Sequence, residues 1–371
     1  MKAVEQYLSL YAEPESRSVE LGSRFDRVVA IPSLGEELGP VISSLRKAAE
    51  HSSVKVLLVI VVNSRPDHSE ELRQTNRRFL DSVAPEADAI GDKVYFCKPD
   101  RLVIDRCDTF PPKQGVGLAR KIGGDVCLRL ITTGSVVSKW IHCTDGDCEV
   151  PRDYFDIAPP DRTAACLYPF EHVLDWSRPH EAQALKLYDE SLRYYVDGLK
   201  RAGSPYAYQS LGSTLAIHSD CYAMARGFPK TAAAEDFYLL NKLAKLGRIV
   251  SLEGPTLRIY QRISDRVPFG TGVSTRKFSE ALAVGLRIPT YNPEIFSHLG
   301  GFLSAARTAL ENPRVPLQVE SPPPGLGDAI ETAIKTRTST EQRLRHFNDW
   351  FDAFRTLKYV HQLRDEHYGT V

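Results

Sequence analysis

The chain has no apolar run long enough to cross a bilayer: its longest, Val56 to Val62, stops far short of the roughly 20 residues a spanning helix needs. The amino terminus, MKAVEQYLSLYAEPESRS, lacks the continuous apolar segment of a secretory signal. There is no surplus charge, with 47 Lys plus Arg against 47 Asp plus Glu. The basic footprint that drives nucleic-acid binding is therefore missing, and nucleic acid is not an expected partner. Seven cysteines occur without a CxxC pair, which reads as reduced thiols filling apolar gaps in a cytoplasmic protein. Internal repeats and low-complexity tracts are also absent. What is present, 371 residues at 42% hydrophobic and 25% charged, describes a soluble globular protein too long for one average domain.

The local pattern alternates. Arg27–Ile31 is a β-branched run stopped by Pro32, and Val41, Ile42, Leu45 and Ala48 follow at helical spacing. A second buried strand, Val56 to Val62, ends in the turn-forming Asn63-Ser-Arg-Pro-Asp67, ahead of a charged helix from Ser69 to Val83. A short strand is expected at Val94 to Cys97, with irregular chain from there to Pro112. A helix is expected over Gly117 to Leu130, where Gly123 and Gly124 either weaken it or mark close packing. Trp140 to Cys143 is a strand leading to Asp145.

Strand–helix alternation from residue 25 to about 150 predicts an α/β fold with a mainly parallel sheet flanked by helices. In such sheets the loops beyond the carboxyl ends of the strands share a crevice, here 32–36, 63–67 and 144–149. After residue 150 the pattern predicts a strand at Ala164 to Phe170, a helix from about His180 to Arg201 and a strand near Ser213 to His218. A helix over Glu235 to Leu246 is expected to end on Gly247 as its C-cap. From Ser274 the chain reads as helical, interrupted by the proline-rich Val319–Gly327, with a closing helix from Thr340 to about Arg364 packing as a separate unit. The expected organisation is 1–24, an N-terminal helix and linker; 25–270, the α/β domain; and 271–371, a helical C-terminal extension.

Two acidic motifs carry chemistry. In Asp145-Gly146-Asp147, two carboxylates one residue apart at a strand end can reach one hard cation, the glycine letting the backbone turn. Mg²⁺ or Mn²⁺ held this way offsets the charge that builds on a departing diphosphate. The same triplet also makes an ordinary turn, and a phosphatase can use Asp-x-Asp as nucleophile and acid, although that chemistry places the pair after the first strand. Glu235-Asp236 opens a helix, where the dipole favours ionised acids. One of them can take the proton of an attacking hydroxyl, or both can serve as plain N-terminal charges. Arg258, Arg262 and Arg266 precede the glycine-rich 268–272, a phosphate-gripping loop or an ordinary charged one.

The order of these motifs resembles the family 2 glycosyltransferases, inverting enzymes of the GT-A fold, over roughly residues 26 to 250. Pro32-Ser-Leu-Gly-Glu36 is similar to that family's Pro-x-x-Asn-Glu, and Gly115-Val-Gly-Leu-Ala-Arg120 to its Gly-x-Gly-x-Ala-Arg helix start. Asp145-Gly-Asp147 is similar to its Asp-x-Asp, and Gly227-Phe228 followed by Glu235-Asp236 to its Gly-Phe then Glu-Asp. The resemblance implies a GT-A, Rossmann-like sheet and transfer of a sugar from a nucleoside diphosphate sugar to an acceptor hydroxyl on a glycan, a lipid-linked carrier or a small molecule.

It further implies Asp147 as metal ligand, Asp145 at the ribose or the metal waters, and Asp236 as catalytic base with Glu235 beside the acceptor. Arg120 would approach the nucleotide or support Asp145, and Pro32, Glu36 and Asn63 would line the nucleoside pocket; apart from the resemblance, guanidinium chemistry offers Arg262 as a phosphate contact.

This chain departs from the pattern at Asn63, where the family usually has Asp, and at Gly35, where it usually has Asn. The Gln-x-x-Arg-Trp signature of processive members is absent, which favours single addition. A retaining GT-A enzyme and a non-catalytic nucleotide-sugar sensor or scaffold remain open. So do peripheral membrane contact and self-association through the C-terminal helices.

Overall fold

The computed structural model describes residues 2–17, 19–260 and 271–371. They fall into two compact units, one of 1–186 with 210–279 and one of 187–209 with 280–371.

The first unit is built on β-branched runs that bury both faces. Its strands are β1 (Arg27–Ser33), β2 (Val56–Asn63), β3 (Ala87–Gly91), β4 (Val94–Cys97), β5 (Arg101–Arg106), β6 (Trp140–Cys143), β7 (Cys148–Glu149), β8 (Thr163–Leu167), β9 (Phe170–Val173), β10 (Leu215–His218), β11 (Arg248–Ser251) and β12 (Leu257–Tyr260). Nine form one sheet in the order β11-β8-β10-β6-β1-β2-β5-β4-β3, and β7-β12-β9 form a second, small one. The central strands β6, β1, β2 and β5 are mutually parallel. All eight residues of β2 are buried. Each buried Val, Leu or Ile contributes about 1.5–3 kcal/mol, so such a strand is held at the middle of a two-sided layer. The fold class read from the sequence is the one observed: a large, mostly parallel sheet flanked by helices.

The helices of this unit are α1 (Lys2–Leu10), α2 (Gly39–His51), α3 (Glu70–Val83), α4 (Val116–Thr132), the first turns of α5 (Pro179–Arg201), α6 (Ser219–Met224), α7 (Glu235–Leu243) and most of α8 (Thr271–Ala283). Ser69 caps α3 by accepting from Leu72 N–H. Helix α4 packs on β1 and β2, and its paired glycines are contact points. A Cβ on Gly123 would come within 3.3 Å of Ala30, and one on Gly124 within 2.5 Å of the Tyr222 hydroxyl. The glycines cost helix propensity, roughly 1 kcal/mol each, and allow the helix to lie closer than a side chain would permit.

Helix α1 docks on α4 through a buried polar cluster. The Tyr7 hydroxyl donates to Asp125 at 2.5 Å, Lys121 Nζ donates to the Tyr7 oxygen at 2.6 Å and to Asp125 at 3.0 Å, and Tyr222 also donates to Asp125. The N–H of Glu13 completes the carboxylate's set at 2.8 Å. Removing any partner would leave a buried charge short of a hydrogen bond.

The second unit collects the rest of α5 with α9 (Pro293–Glu311), α10 (Leu326–Thr336), α11 (Thr340–Trp350) and α12 (Ala353–Leu363). Leu199, Phe296, Phe302, Phe347, Phe351 and Tyr359 share its core.

Several expectations are corrected. The chain after Cys97 is not irregular: β5 pairs in parallel with β2. The strand expected at 164–170 is two strands in different sheets, β8 and β9. Helix α7 ends at Leu243, and Gly247 is not a left-handed cap. A Cβ there would lie 2.7 Å from the Arg162 carbonyl, so close backbone approach to β8 requires the glycine. The closing helix breaks at Phe351, restarts under the Asp352 cap, and shares its core with α9 and α10 instead of packing separately.

Candidate active site

The carboxyl ends of β1, β2 and β6 lie side by side, and their loops meet at one cavity of about 240 Å³. Asparagines lace the first two loops together. Asn63 Nδ2 donates to the Ser33 carbonyl at 2.8 Å and to that of Val61 at 3.3 Å, while Asn76 donates to the Asn63 carbonyl and accepts from Gly35 N–H. With both amide hydrogens spent on the scaffold, Asn63 presents an acceptor oxygen as its remaining group. Gly35 sits at φ 62°, and a Cβ there would strike Leu72 Cδ2 at 2.4 Å, which accounts for glycine at this position.

Beyond β6, Asp145-Gly146-Asp147 forms the floor. Gly146 sits in a hydrogen-bonded turn, as expected, with Cys148 N–H donating to the Asp145 carbonyl at 3.2 Å, and it does so without a positive φ. It is small because a Cβ would lie 2.5 Å from Glu36 Oε2 and 2.9 Å from Leu38, so Glu36 folds directly over the triplet. The Asp147 carbonyl accepts from Tyr260 N–H at 2.9 Å, which fixes the triplet to β12. Burial, opposed by Arg120 and reinforced by Asp147, Glu36 and Glu235, pushes the Asp145 carboxyl up to about 7.

Arg120, in the second turn of α4, joins the two acidic motifs. Its Nη2 lies 2.8 Å from Asp145 and its Nε 2.8 Å from Glu235. Only 4% of the Arg120 side chain and 5% of that of Glu235 are exposed, so the pair is buried. Two close approaches make room. A Cβ on Gly212 would lie 2.5–2.7 Å from the guanidinium, and one on Gly117 would lie 2.3 Å from the Pro229 carbonyl and 2.6 Å from that of Thr231. The start of α4 is thereby pressed onto the loop that leads into α7.

Ala234, just before α7, takes the left-handed conformation at φ 59°, a strain of about 1–2 kcal/mol for a residue with a Cβ. Asp236 accepts from its neighbour Phe237 N–H at 2.7 Å and from the Gly212 N–H. Burial and Glu235 together lift it to about 7 against the pull of Arg120.

Pro32, Glu36, Asn63, Arg120, Asp145, Asp147 and Glu235 all line the cavity. Asp236 is not among the lining residues, and Arg262 and Arg266 lie outside the described ones. Arg258 pairs on the surface with Glu149 and Glu171. Arg65, His68, Phe110, His172, Tyr260 and Thr275 line the cavity without having been singled out in the sequence. His172 and Tyr260 arrive there because β9 and β12 pair in parallel, a long-range event with no local signature.

No protein-family model matches the chain, and no curated protein matches it significantly. Among solved structures it is similar to a mannosyltransferase from Pyrobaculum calidifontis in complex with GDP-mannose and Mn²⁺, at 14% identity and TM-score 0.37, covering 98% of this chain and 92% of that one. It is also similar to GalNAc-T7 with UDP, GalNAc and Mn²⁺, at 13% identity and TM-score 0.39, covering 98% and 64%. A third is glucosyl-3-phosphoglycerate synthase from Mycobacterium tuberculosis with Mn²⁺, UDP and glucosyl-3-phosphoglycerate, at 14% identity and TM-score 0.36, covering 71% and 81%. Likenesses this distant carry no argument about activity, which rests on the site itself.

Among the described residues no group of three or more His, Cys, Asp or Glu side chains forms a ready metal cage. The donor set suits a hard cation all the same, because Mg²⁺ and Mn²⁺ are commonly held by one or two carboxylates with phosphate oxygens and water completing the shell. Asp145 and Asp147, under Glu36, concentrate negative charge that a divalent cation would offset. The flanking thiols of Cys143 and Cys148 are buried and raised in pKa by burial, which keeps them protonated and out of the ligand set. No helix among the described residues is long and apolar enough to cross a membrane.

Proposed function

We propose that the chain is a metal-dependent glycosyltransferase that moves a sugar from a nucleoside diphosphate sugar to an acceptor hydroxyl by a single displacement, one addition at a time. The carrying observation is the buried Arg120 bridge, which holds Asp145 of the Asp-x-Asp motif and Glu235 of the Glu-Asp motif on one cavity. A leaving group and a nucleophile need to be served within one space, and a bridge that brings one acid of each motif to the same cavity supports that reading.

At the donor end Asp147 and Asp145 would hold Mn²⁺ or Mg²⁺, which when bound neutralises the departing diphosphate. Pro32, Glu36 and Asn63 would face the nucleoside. At the other end Asp236, lifted to about 7, is poised to take the acceptor's proton as the acceptor oxygen bonds to the anomeric carbon and that carbon's bond to the diphosphate oxygen breaks. Inversion at that carbon follows from one displacement.

The absence of Asp236 from the cavity lining favours a second reading, a nucleotide-sugar sensor without turnover. Calorimetry with UDP and GDP, with and without Mn²⁺, combined with a product assay over a panel of their sugar conjugates, separates the two. Metal-dependent binding with transfer, lost in Asp236→Asn, supports the enzyme. Binding without turnover supports the sensor. Asp147→Ala should abolish the metal-dependent part of the affinity, and an unchanged metal increment would displace the cation from this site.

A further inference from the structure

Glu15 is a buried carboxylate that the proposed reaction does not use. Only 6% of its side chain is exposed, and Arg106 Nη1 donates to its Oε1. Its Oε2 is sealed from solvent and has no partner among the described residues. A buried ion pair of this kind adds little net stability over an apolar contact, because desolvation offsets the attraction. What it adds is a fixed place for the guanidinium.

That guanidinium supports one wall of the cavity. Arg106 closes β5, its Nε donates to Thr109 Oγ1 at 3.0 Å, and its guanidinium carbon lies 6.0 Å from the centre of the Phe110 ring. Phe110 lines the cavity, and its N–H donates at 3.2 Å to the carbonyl of Ser64, the neighbour of Asn63. Asp108 completes the loop's attachment, its N–H donating to Ser64 Oγ and its carboxylate accepting from that hydroxyl. In the strand order β6-β1-β2-β5 this wall begins three strand spacings, about 14 Å, from the strand that leads to Asp145. It therefore stands at the end assigned to the nucleoside and away from the end assigned to the cation.

We propose that Glu15 is a positioning residue for nucleotide binding: by fixing Arg106 it holds the Phe110 loop as the nucleoside wall of the cavity. The proposal rests on the reading that a nucleoside diphosphate occupies this cavity, and it applies to the transferase and to the sensor alike.

Calorimetry of UDP and of GDP over a series of Mn²⁺ concentrations, on the whole chain, tests it. Glu15→Gln keeps the shape and removes the charge, and should weaken nucleotide binding roughly three- to tenfold, by the same factor at every Mn²⁺ concentration. Arg106→Lys keeps a cation for Glu15 but loses the flat group over Phe110 and the bond to Thr109, so it should reproduce the loss, and it carries the test if the glutamine variant does not fold. The double variant should bind no more weakly than Arg106→Lys alone, because Glu15 acts through that guanidinium. Glu13→Gln is the control. It breaks the 2.5 Å ion pair between the same segment and Lys230, keeps the Glu13 N–H on Asp125, and should leave nucleotide affinity unchanged.

The proposal is overturned if Glu15→Gln binds the nucleotides as the wild type does, or if Glu13→Gln loses as much, which would reduce the effect to a general loosening of the segment. A loss that grows with Mn²⁺ overturns it by placing the effect at the cation, and losses that add in the double variant overturn the route through Arg106. If the wild type binds neither nucleotide at any Mn²⁺ concentration, the nucleoside diphosphate reading beneath is what fails.

Discussion

Replacing Asp236 by Asn should stabilise the protein above neutral pH while stopping transfer. The carboxyl is lifted from 3.8 to about 7, by burial first and Glu235 second, with Arg120 and the N–H groups of Phe237 and Gly212 pulling the other way. Each pH unit of displacement corresponds to about 1.4 kcal/mol, so ionising this group inside the fold costs at most about 4 kcal/mol. Asp236 is only half-buried, and solvent screening brings the expected cost down to about 1–3 kcal/mol.

The sign follows from proton uptake. Between about pH 4 and pH 7 the folded chain retains a proton that the unfolded chain has released, so wild-type stability falls as pH rises through that window and the loss is complete above it. Asn has no charge to bury, and its Oδ1 still accepts from the backbone N–H of Phe237. Urea unfolding of both proteins at about pH 5 and about pH 8 reads the effect. The advantage of the variant should grow by about 1–3 kcal/mol toward the higher pH. A gap that stays constant, or one that narrows as pH rises, would refute the placement of a strained, proton-hungry acid at the start of α7.

Two further outcomes test the scaffold around the site. Gly117→Ala would drive a Cβ into the carbonyls of Pro229 and Thr231, both backbone atoms, and should cost about 1–3 kcal/mol. The melting temperature should fall by several degrees and transfer should weaken, because α4 carries Arg120; an unchanged melting curve would mean the contact is loose. Tyr7→Phe removes one hydroxyl from the buried cluster with Lys121 and Asp125 and should destabilise by about 1–3 kcal/mol, seen as a lower urea midpoint at unchanged slope. A midpoint equal to the wild type's would show that the cluster does not hold α1.

The central strands were legible because β1 and β2 are long β-branched runs whose only stable home is a two-sided layer. β5, RLVIDR, was hidden by its charged ends: only Leu102, Val103 and Ile104 are fully buried, too few to outweigh the flanking polar residues in a local reading. The acidic motifs were found by their residue types, and Asp145, Asp147 and Glu235 line one cavity whereas Asp236 does not. The role of Arg120 as a bridge was only half visible, since Glu235 comes 115 positions later and nothing local announces the pairing. His172, Tyr260 and Thr275 left no trace at all, because their place at the cavity depends on strands and helices that meet only after the chain has folded. Gly247 was recognised as special but as a helix cap, whereas space is what limits it, and at Gly146 the expected turn is joined by a demand for space.

Arg120 and Lys121 are consecutive residues on α4, so their side chains leave the helix axis about 100° apart and answer to different neighbours. One faces the acids of the cavity, and the other is locked to Tyr7 of α1. Tyr7 and the N–H of Glu13 hold Asp125 and Lys121 of the helix that carries the bridging arginine. On the glycosyl-transfer reading, loosening α1 would therefore be felt as a change in transfer rate as well as a loss of packing.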